Sequence, residues 1–157
     1  MKLYWLMGLL ALAAIILALM IFGPLRGTTN SDFPDAWQPD DTNTIPPCPS
    51  SPNCVRLSIP VQTPADEFIL EARQALERMN AESIQRDPES LSIEAIFKIP
   101  IFGFRDNFDI RISNSGPDGG SIIHIASRSN EGYSDLGVNR RRVLGFLQEL
   151  SITNPNL

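Results

Sequence analysis

The chain has 157 residues, 13 Lys and Arg against 18 Asp and Glu, a formal net charge of −5, and one histidine, His124. That balance excludes the basic footprint of a nucleic-acid-binding protein and the broad polybasic face of one held to lipid by charge alone. With an apolar N-terminus set aside, about 130 residues are left, enough for one modest core and too few for two.

The first element is an uncharged run from Leu3 to Leu25. At about 1.5 Å per residue a helix of this length covers the hydrocarbon core of a bilayer, so residues 1–26 are predicted to be a single transmembrane anchor. A cleaved signal peptide has a hydrophobic region of only about 7–15 residues followed by a small-residue cleavage site. Ile21 to Leu25 offers no such site, and Cys48 is too distant to carry an anchoring lipid. Lys2 precedes the run, whereas Arg26 beyond it is soon outnumbered by Asp32, Asp35, Asp40 and Asp41. The positive-inside rule then places the N-terminus in the cytoplasm. The expectation is a single-pass protein of the inner, cytoplasmic membrane with a periplasmic C-terminal domain.

Nine of the 13 prolines lie between Pro24 and Pro64. With Thr, Asn, Ser and Asp among them and no periodic apolar face, residues 27–54 read as an extended tether. This stretch holds the only two cysteines, Cys48 and Cys54. In an exported segment a disulfide is the favoured reading. The spacing fits neither a Cys-x-x-Cys redox pair nor a haem attachment site, and two thiolates with one distant histidine make a poor zinc site. No metal or cofactor is predicted.

The folded domain is expected over 55–152, followed by a short tail, 153–157. Thr63 reads as a helix N-cap, with Pro64 at the first helical position and Asp66 and Glu67 in the first turn. Ala65, Phe68, Ile69, Ala72, Ala75, Leu76 and Met79 recur at three and four, the mark of a helix buried on one side. A short strand near Ser83 to Asp87 comes next. Alternation then runs through Leu91, Ile93, Ala95, Phe97 and Ile99, and again through Phe104, Phe108, Ile110 and Ile112, giving half-buried strands. The Gly and Pro of Ser113 to Gly120 make a turn, so Ser121 to Ser129 should return antiparallel. Ser134 and Asp135 look like a cap before a second helix, Leu136 to Leu150, whose core face is Val143, Phe146, Leu147 and Leu150. Strands in succession without crossover helices predict an α+β fold, a two-layer sandwich of an antiparallel sheet of about four strands with two helices on one face.

Three segments carry a resemblance: Cys48 to Cys54 (CPSSPNC), Phe104 to Phe108 (FRDNF) and above all Ser127 to Arg142 (SRSNEGYSDLGVNRRR). Together they resemble the domain-of-unknown-function family numbered 1499, over about Pro46 to Leu150. The resemblance implies no activity, since that family is uncharacterised.

The last block places a loop against a helix N-terminus, where free N–H groups and the helix dipole favour anions. If Ile112 pairs with Ile122, Asp106 faces Arg128 across the hairpin, and Arg140 can reach the sheet from the helix. A cluster of Asp106, Arg128, Arg140 and Asn139 would result. It reads first as a structural ion pair locking the helix to the sheet, and second as a carboxylate or phosphate pocket built from Arg128, Ser134, Asp135, Asn139 and Arg140. Ser134 and Asp135 have no histidine in sequence reach, and Asp106 has no identifiable catalytic partner, so no catalytic residue is assigned.

Ile96 to Phe104 gathers six large apolar side chains around a Pro–Gly turn. A turn cannot bury them all, so Ile101 and Phe102 at its tip are candidates for docking on a partner or on the membrane surface. Two functions from different classes follow. The first is a non-catalytic, membrane-anchored exported interaction module or accessory subunit whose partner is an integral membrane protein. The second is binding, with processing as its extension, of a small anionic molecule at the arginine-rich start of the last helix.

Overall fold

Residues 8, 11, 12, 14, 33–99, 103–114 and 119–152 are described by the structure, a computed structural model. The expected span from Leu3 to Leu25 lies outside them apart from those four positions, as do Ile101, Phe102 and the 153–157 tail. Among the described residues no helix is long and apolar enough to cross a membrane.

The fold is α+β. Five strands, β1 (Cys54–Val61), β2 (Ser83–Asp87), β3 (Ser92–Lys98), β4 (Arg105–Ser113) and β5 (Ser121–Ser129), form one sheet in the order β1-β5-β4-β3-β2. Every neighbouring pair is antiparallel. Two helices, α1 (Ala65–Arg78) and α2 (Val138–Glu149), supply the second layer. α1 lies against β2, β3 and β4, and α2 against β1 and β5.

Alternation along each strand explains the layer between them. Val55, Leu57 and Ile59 of β1, Ile93, Ala95 and Phe97 of β3, Phe108, Ile110 and Ile112 of β4, and Ile123 and Ile125 of β5 are buried in one cluster with Phe68, Ile69, Ala72 and Leu76 of α1 and Val143, Phe146 and Leu147 of α2. Phe108 sits at its centre, with ring centroids 5.9 Å from Phe97 and 5.1 Å from Phe146.

The sheet has five strands where about four are expected, the additional one being β1 at the start of the domain. β1 alternates Val55, Leu57 and Ile59 with Arg56, Ser58 and Pro60, a period-two signal obscured by the proline-rich context. It is an edge strand, and there Pro60 costs no ladder bond when its nitrogen faces away from the partner. α1 likewise begins one residue later than expected. Pro64 is the capping residue, its carbonyl accepts the first helical bond from Phe68 N–H at 2.9 Å, and no side-chain cap is present. Thr63 instead offers its carbonyl to the Ser121 hydroxyl. Gly120 is required beside this contact, because a Cβ there would lie 2.1 Å from the Val61 carbonyl oxygen.

The largest departure lies in the stretch read as a tether. Phe33 and Trp37, the latter in a 3-10 turn over Asp35–Trp37, belong to the main core cluster, and Asn43 and Ile45 are buried too. Asn43 Nδ2 donates to the Leu57 carbonyl at 3.1 Å and to Ser58 Oγ at 3.0 Å. Arg56 donates to the carbonyls of Ile45 at 2.9 Å and Asn43 at 2.6 Å, and Arg111 donates to Thr44 O and Oγ1 at 3.2 Å. Residues 33–45 therefore form a strap that passes from the core side, around the β1 edge, onto the outer face of the sheet. It covers an edge that would otherwise expose unpaired backbone groups. Cys48 and Cys54 are joined in a disulfide that fastens the end of the strap to the first residue of β1. Closing so short a loop is worth roughly 2 kcal/mol in the chain-entropy model.

Candidate functional site

The residues singled out near α2 converge, with different partners from those expected. Ile112 pairs with Ile123, not Ile122, and Asn107, not Asp106, stands opposite Arg128. A slip of one residue moves side chains to opposite faces of a sheet. Asp106 therefore points into the helix-covered layer, whereas Arg128 lies on the outer face and bonds Asp109 at 2.6 Å. Burial pushes the Asp109 carboxyl up from its ordinary value, and the Arg128 charge opposes that shift.

The partner of Asp106 is Arg142, not Arg128 or Arg140: Arg142 Nη2 donates to Asp106 Oδ2 at 2.8 Å. Residues 140 and 142 are about 200° apart around a helix, so they address different surroundings. Asn139, Arg142, Val143 and Phe146 recur at three and four and are the buried face of α2. Both charges are removed from water, with Asp106 and Arg142 side chains 2% and 7% exposed. Burial draws the Arg142 guanidinium down from its usual value, and the Asp106 carboxylate opposes that shift. Arg142 Cζ also stands 4.9 Å from the Phe97 ring centroid, within cation–π range.

Asn139 ties this pair to everything around it. Its Oδ1 accepts from Arg142 Nη1 at 2.8 Å and from Ser127 Oγ at 2.6 Å. Its Nδ2 donates to the Asn53 carbonyl at 2.8 Å and to Ser129 Oγ at 3.0 Å. Asn53 Nδ2 in turn donates to the Gly132 carbonyl at 2.9 Å. One polar network thus joins the disulfide end of β1, the start of β4, the end of β5 and the first turn of α2.

Asp135 closes the helix start. Its carboxylate accepts from Gly137 N–H at 3.0 Å and Asn139 N–H at 2.8 Å. Ser134 Oγ accepts from Leu136 N–H at 3.3 Å. Gly137, at φ 76°, takes the left-handed turn into α2, which accordingly begins at Val138 rather than Leu136. The donors that would attract an external anion are already bonded to a carboxylate of the chain itself.

The three segments that make up this network are those that carried the resemblance. The chain belongs to the DUF1499 family. Residues 44–150 match the profile of this family, whose description is a protein of unknown function. No curated protein matches the chain. In this family member the distinctive block from Ser127 to Arg142 is, in physical terms, the device that pins α2 and the disulfide loop to the sheet.

A second polar site, on the outer face, was not foreseen. His124 is 2% exposed, and its Nδ1 lies 3.0 Å from Ser58 Oγ. Ser58 Oγ already accepts from Asn43 Nδ2. Assigning the Ser58 hydroxyl as donor to Nδ1 uses both its donor and its acceptor capacity and places the ring proton on Nε2. Nε2 is buried and has no hydrogen-bond partner among the described residues. A buried polar group left unbonded costs about 1–3 kcal/mol. His124 also forms part of the wall of a cleft of about 490 Å³, bounded by the strap on one side and the β2–β3 turn on the other. Period-two alternation in β5 puts His124 opposite Ile123 and Ile125, but the strap that buries it is a tertiary feature with no local signal.

Burial lowers the His124 pKa below its ordinary value of 6.5, Asp40 opposes the shift and Arg56 adds to it. A depressed folded-state pKa means the unfolded chain takes up a proton first. The stabilisation is therefore complete above about pH 6.5 and is lost as pH falls towards the folded-state value, by at most about 1.4 kcal/mol per pH unit for one proton. Urea midpoints measured between pH 7.5 and 5.5 should fall with pH for the native chain. The fall should be shallower in His124→Gln, and equal slopes in the two proteins would refute the assignment.

Proposed function

We infer that the protein is a non-catalytic, membrane-anchored interaction module, an accessory subunit whose partner is an integral membrane protein. The observation that carries this reading is the burial of Phe33 in the core, eight positions beyond Leu25. If Leu3 to Leu25 spans the cytoplasmic membrane, residues 26–32 connect it to the folded domain. Seven residues reach at most about 25 Å when fully extended. The domain would then be held at the membrane surface, not on a long tether, where a neighbouring membrane protein has a high effective concentration.

Three further facts support the reading. A disulfide suits an exported, oxidising compartment such as the periplasm. Asp106, Arg142, Asn139 and Ser127 are engaged with one another, which is what a scaffold needs and leaves the network built for holding the fold. Exposed apolar side chains gather at the same end of the sheet: Phe104 beside β4, and Tyr133 and Leu136 in the loop before α2, at 40%, 76% and 42% exposure. Asn130 donates to the Arg105 carbonyl at 2.8 Å and so joins that loop to the start of β4. Leu136 is held there at φ 53°, a conformation that costs a non-glycine residue about 1–3 kcal/mol and is concentrated at functional positions. Ile101 and Phe102, the docking candidates of the sequence, neighbour Phe104 in the chain and lie outside the described residues. An anion at the start of α2 would have to displace Asp135, and nothing in the geometry favours that alternative.

The test is co-purification of the full-length protein in a mild detergent, alongside a version whose Leu3–Leu25 segment is replaced by an unrelated membrane helix and a Phe104→Glu/Tyr133→Glu variant. A stoichiometric integral membrane protein should accompany the native chain and be lost from the double variant. Retention of no membrane protein by the native chain would overturn the reading. Release of the native chain from membranes by alkaline carbonate would overturn the anchor.

A further inference from the structure

We propose that the cleft on the outer face of the sheet, between the strap and the β2–β3 turn, is a binding site for an uncharged polyhydroxylated ligand of the size of one sugar ring. The site is separate from the apolar end of the sheet assigned to partner docking. A volume of about 490 Å³ falls within the range of small-molecule pockets.

The chemistry of the lining selects the ligand. Thr42 and Thr44 of the strap and Ser92 of β3 contribute hydroxyls, Glu94 of β3 a carboxylate, Arg111 of β4 a guanidinium, and His124 of β5 the imidazole. β3, β4 and β5 are adjacent in the sheet, and Arg111 is the direct cross-strand neighbour of both Ser92 and His124. A carboxylate only accepts, a guanidinium and an imidazole N–H only donate, and hydroxyls do both. The ligand that satisfies all of these at once carries several groups that are themselves donor and acceptor, which is a property of a polyol. With Asp87 also in the lining, two acidic groups stand against one arginine, and this balance disfavours anions.

Two details give the site its sense. Arg111 holds Thr44 through Nη1 alone, so the guanidinium is oriented by the strap and still carries further N–H donors. Nε2 of His124 is buried without a hydrogen-bond partner among the described residues, and the cleft is the space its ring adjoins, so in the assigned tautomer it is a donor that a ligand oxygen can satisfy. A ligand hydroxyl, reached by a small displacement of exposed Thr42 and Thr44, would supply that acceptor. Ser58, itself bonded to Asn43 of the strap, holds Nδ1 and so orients the ring.

A chain with a single histidine makes the test direct. The full-length protein, labelled with nitrogen-15 at histidine and held in a detergent without a sugar headgroup, gives one imidazole spectrum. D-glucose and N-acetylglucosamine represent a free sugar and chitotetraose the end of a glycan chain. Inorganic phosphate and putrescine probe anionic and cationic alternatives. Saturable movement of the Nε2 resonance is expected with at least one sugar, and the three sugar titrations show which source is preferred. Affinity should weaken about tenfold in Glu94→Gln, which leaves the core untouched. No saturable shift with any of the sugars up to about 50 mM, an affinity unchanged in Glu94→Gln, or a response to phosphate or putrescine alone would overturn the proposal.

Discussion

Replacing Arg142 by alanine is expected to destabilise the protein by about 3–5 kcal/mol, because Asp106 is then left charged, buried and without its counter-ion. The same change removes a donor to Asn139 and the cation–π contact on Phe97. Urea unfolding of the full-length protein in detergent, followed through the fluorescence of buried Trp37, measures the loss. Arg140→Ala, one helical face away, should cost less than about 1 kcal/mol, the usual worth of an interaction made by a charge that stays partly exposed. A further comparison separates an orphaned charge from lost packing. Arg142→Met keeps much of the side-chain volume, and adding Asp106→Asn to it removes the isolated carboxylate, so the pair should recover at least about 1 kcal/mol over Arg142→Met alone. If Arg142→Ala lies within 1 kcal/mol of the native protein, the network does not hold α2 in place.

The second large effect concerns the strap. Phe33→Ala should cost about 3–5 kcal/mol, the usual penalty for deleting a fully buried aromatic ring. It should also expose residues 33–47 to limited proteolysis under conditions in which the native chain resists, because Phe33 and Trp37 are the points at which the core holds this segment. A free tether would give neither result: truncating a solvated side chain changes stability by less than about 0.5 kcal/mol. The outcome bears on function too. The membrane-proximal geometry depends on the strap being seated, and so does the cleft, whose rim is Thr42 and Thr44.

Phe33 is also where sequence and structure part company most plainly. Among prolines and aspartates, its only apolar neighbours at helical spacing are Ala36 and Trp37, too short a pattern to mark a buried face, and its burial is decided by β1 and the helices that receive it. β1 itself was legible in the Val55, Leu57, Ile59 alternation, but Pro60 and the preceding prolines masked it. In contrast, α1 could be read almost to the residue, since a stripe of seven apolar positions at three and four over one segment fits a single secondary structure. The β3 and β4 strands were legible for the corresponding reason at a period of two, and β5 from the Gly- and Pro-containing turn before it.

The candidate site shows the same division. That Asp106 would meet an arginine from the block Ser127 to Arg142 followed from residue types and their order. Which arginine it met depended on a one-residue difference in the β4–β5 register, set by a turn whose composition does not specify its length, and on the face that α2 turns to the sheet. His124 was visible as a single histidine in a strand. Its burial, its hydrogen-bond partner and its place beside a cleft come from Asn43, Ser58 and Arg111, which are distant in sequence and are brought together by the strap.

By itself, then, the sequence determined the secondary-structure elements, the antiparallel succession and the family, because these rest on local periodicity and contiguous motifs. The tertiary structure alone decided the fifth strand's role at the edge, the Asp106–Arg142 pairing, the strap and the cleft. Each of these is a contact between segments whose separate patterns are compatible with several partners, and only simultaneous packing of both sheet faces selects one.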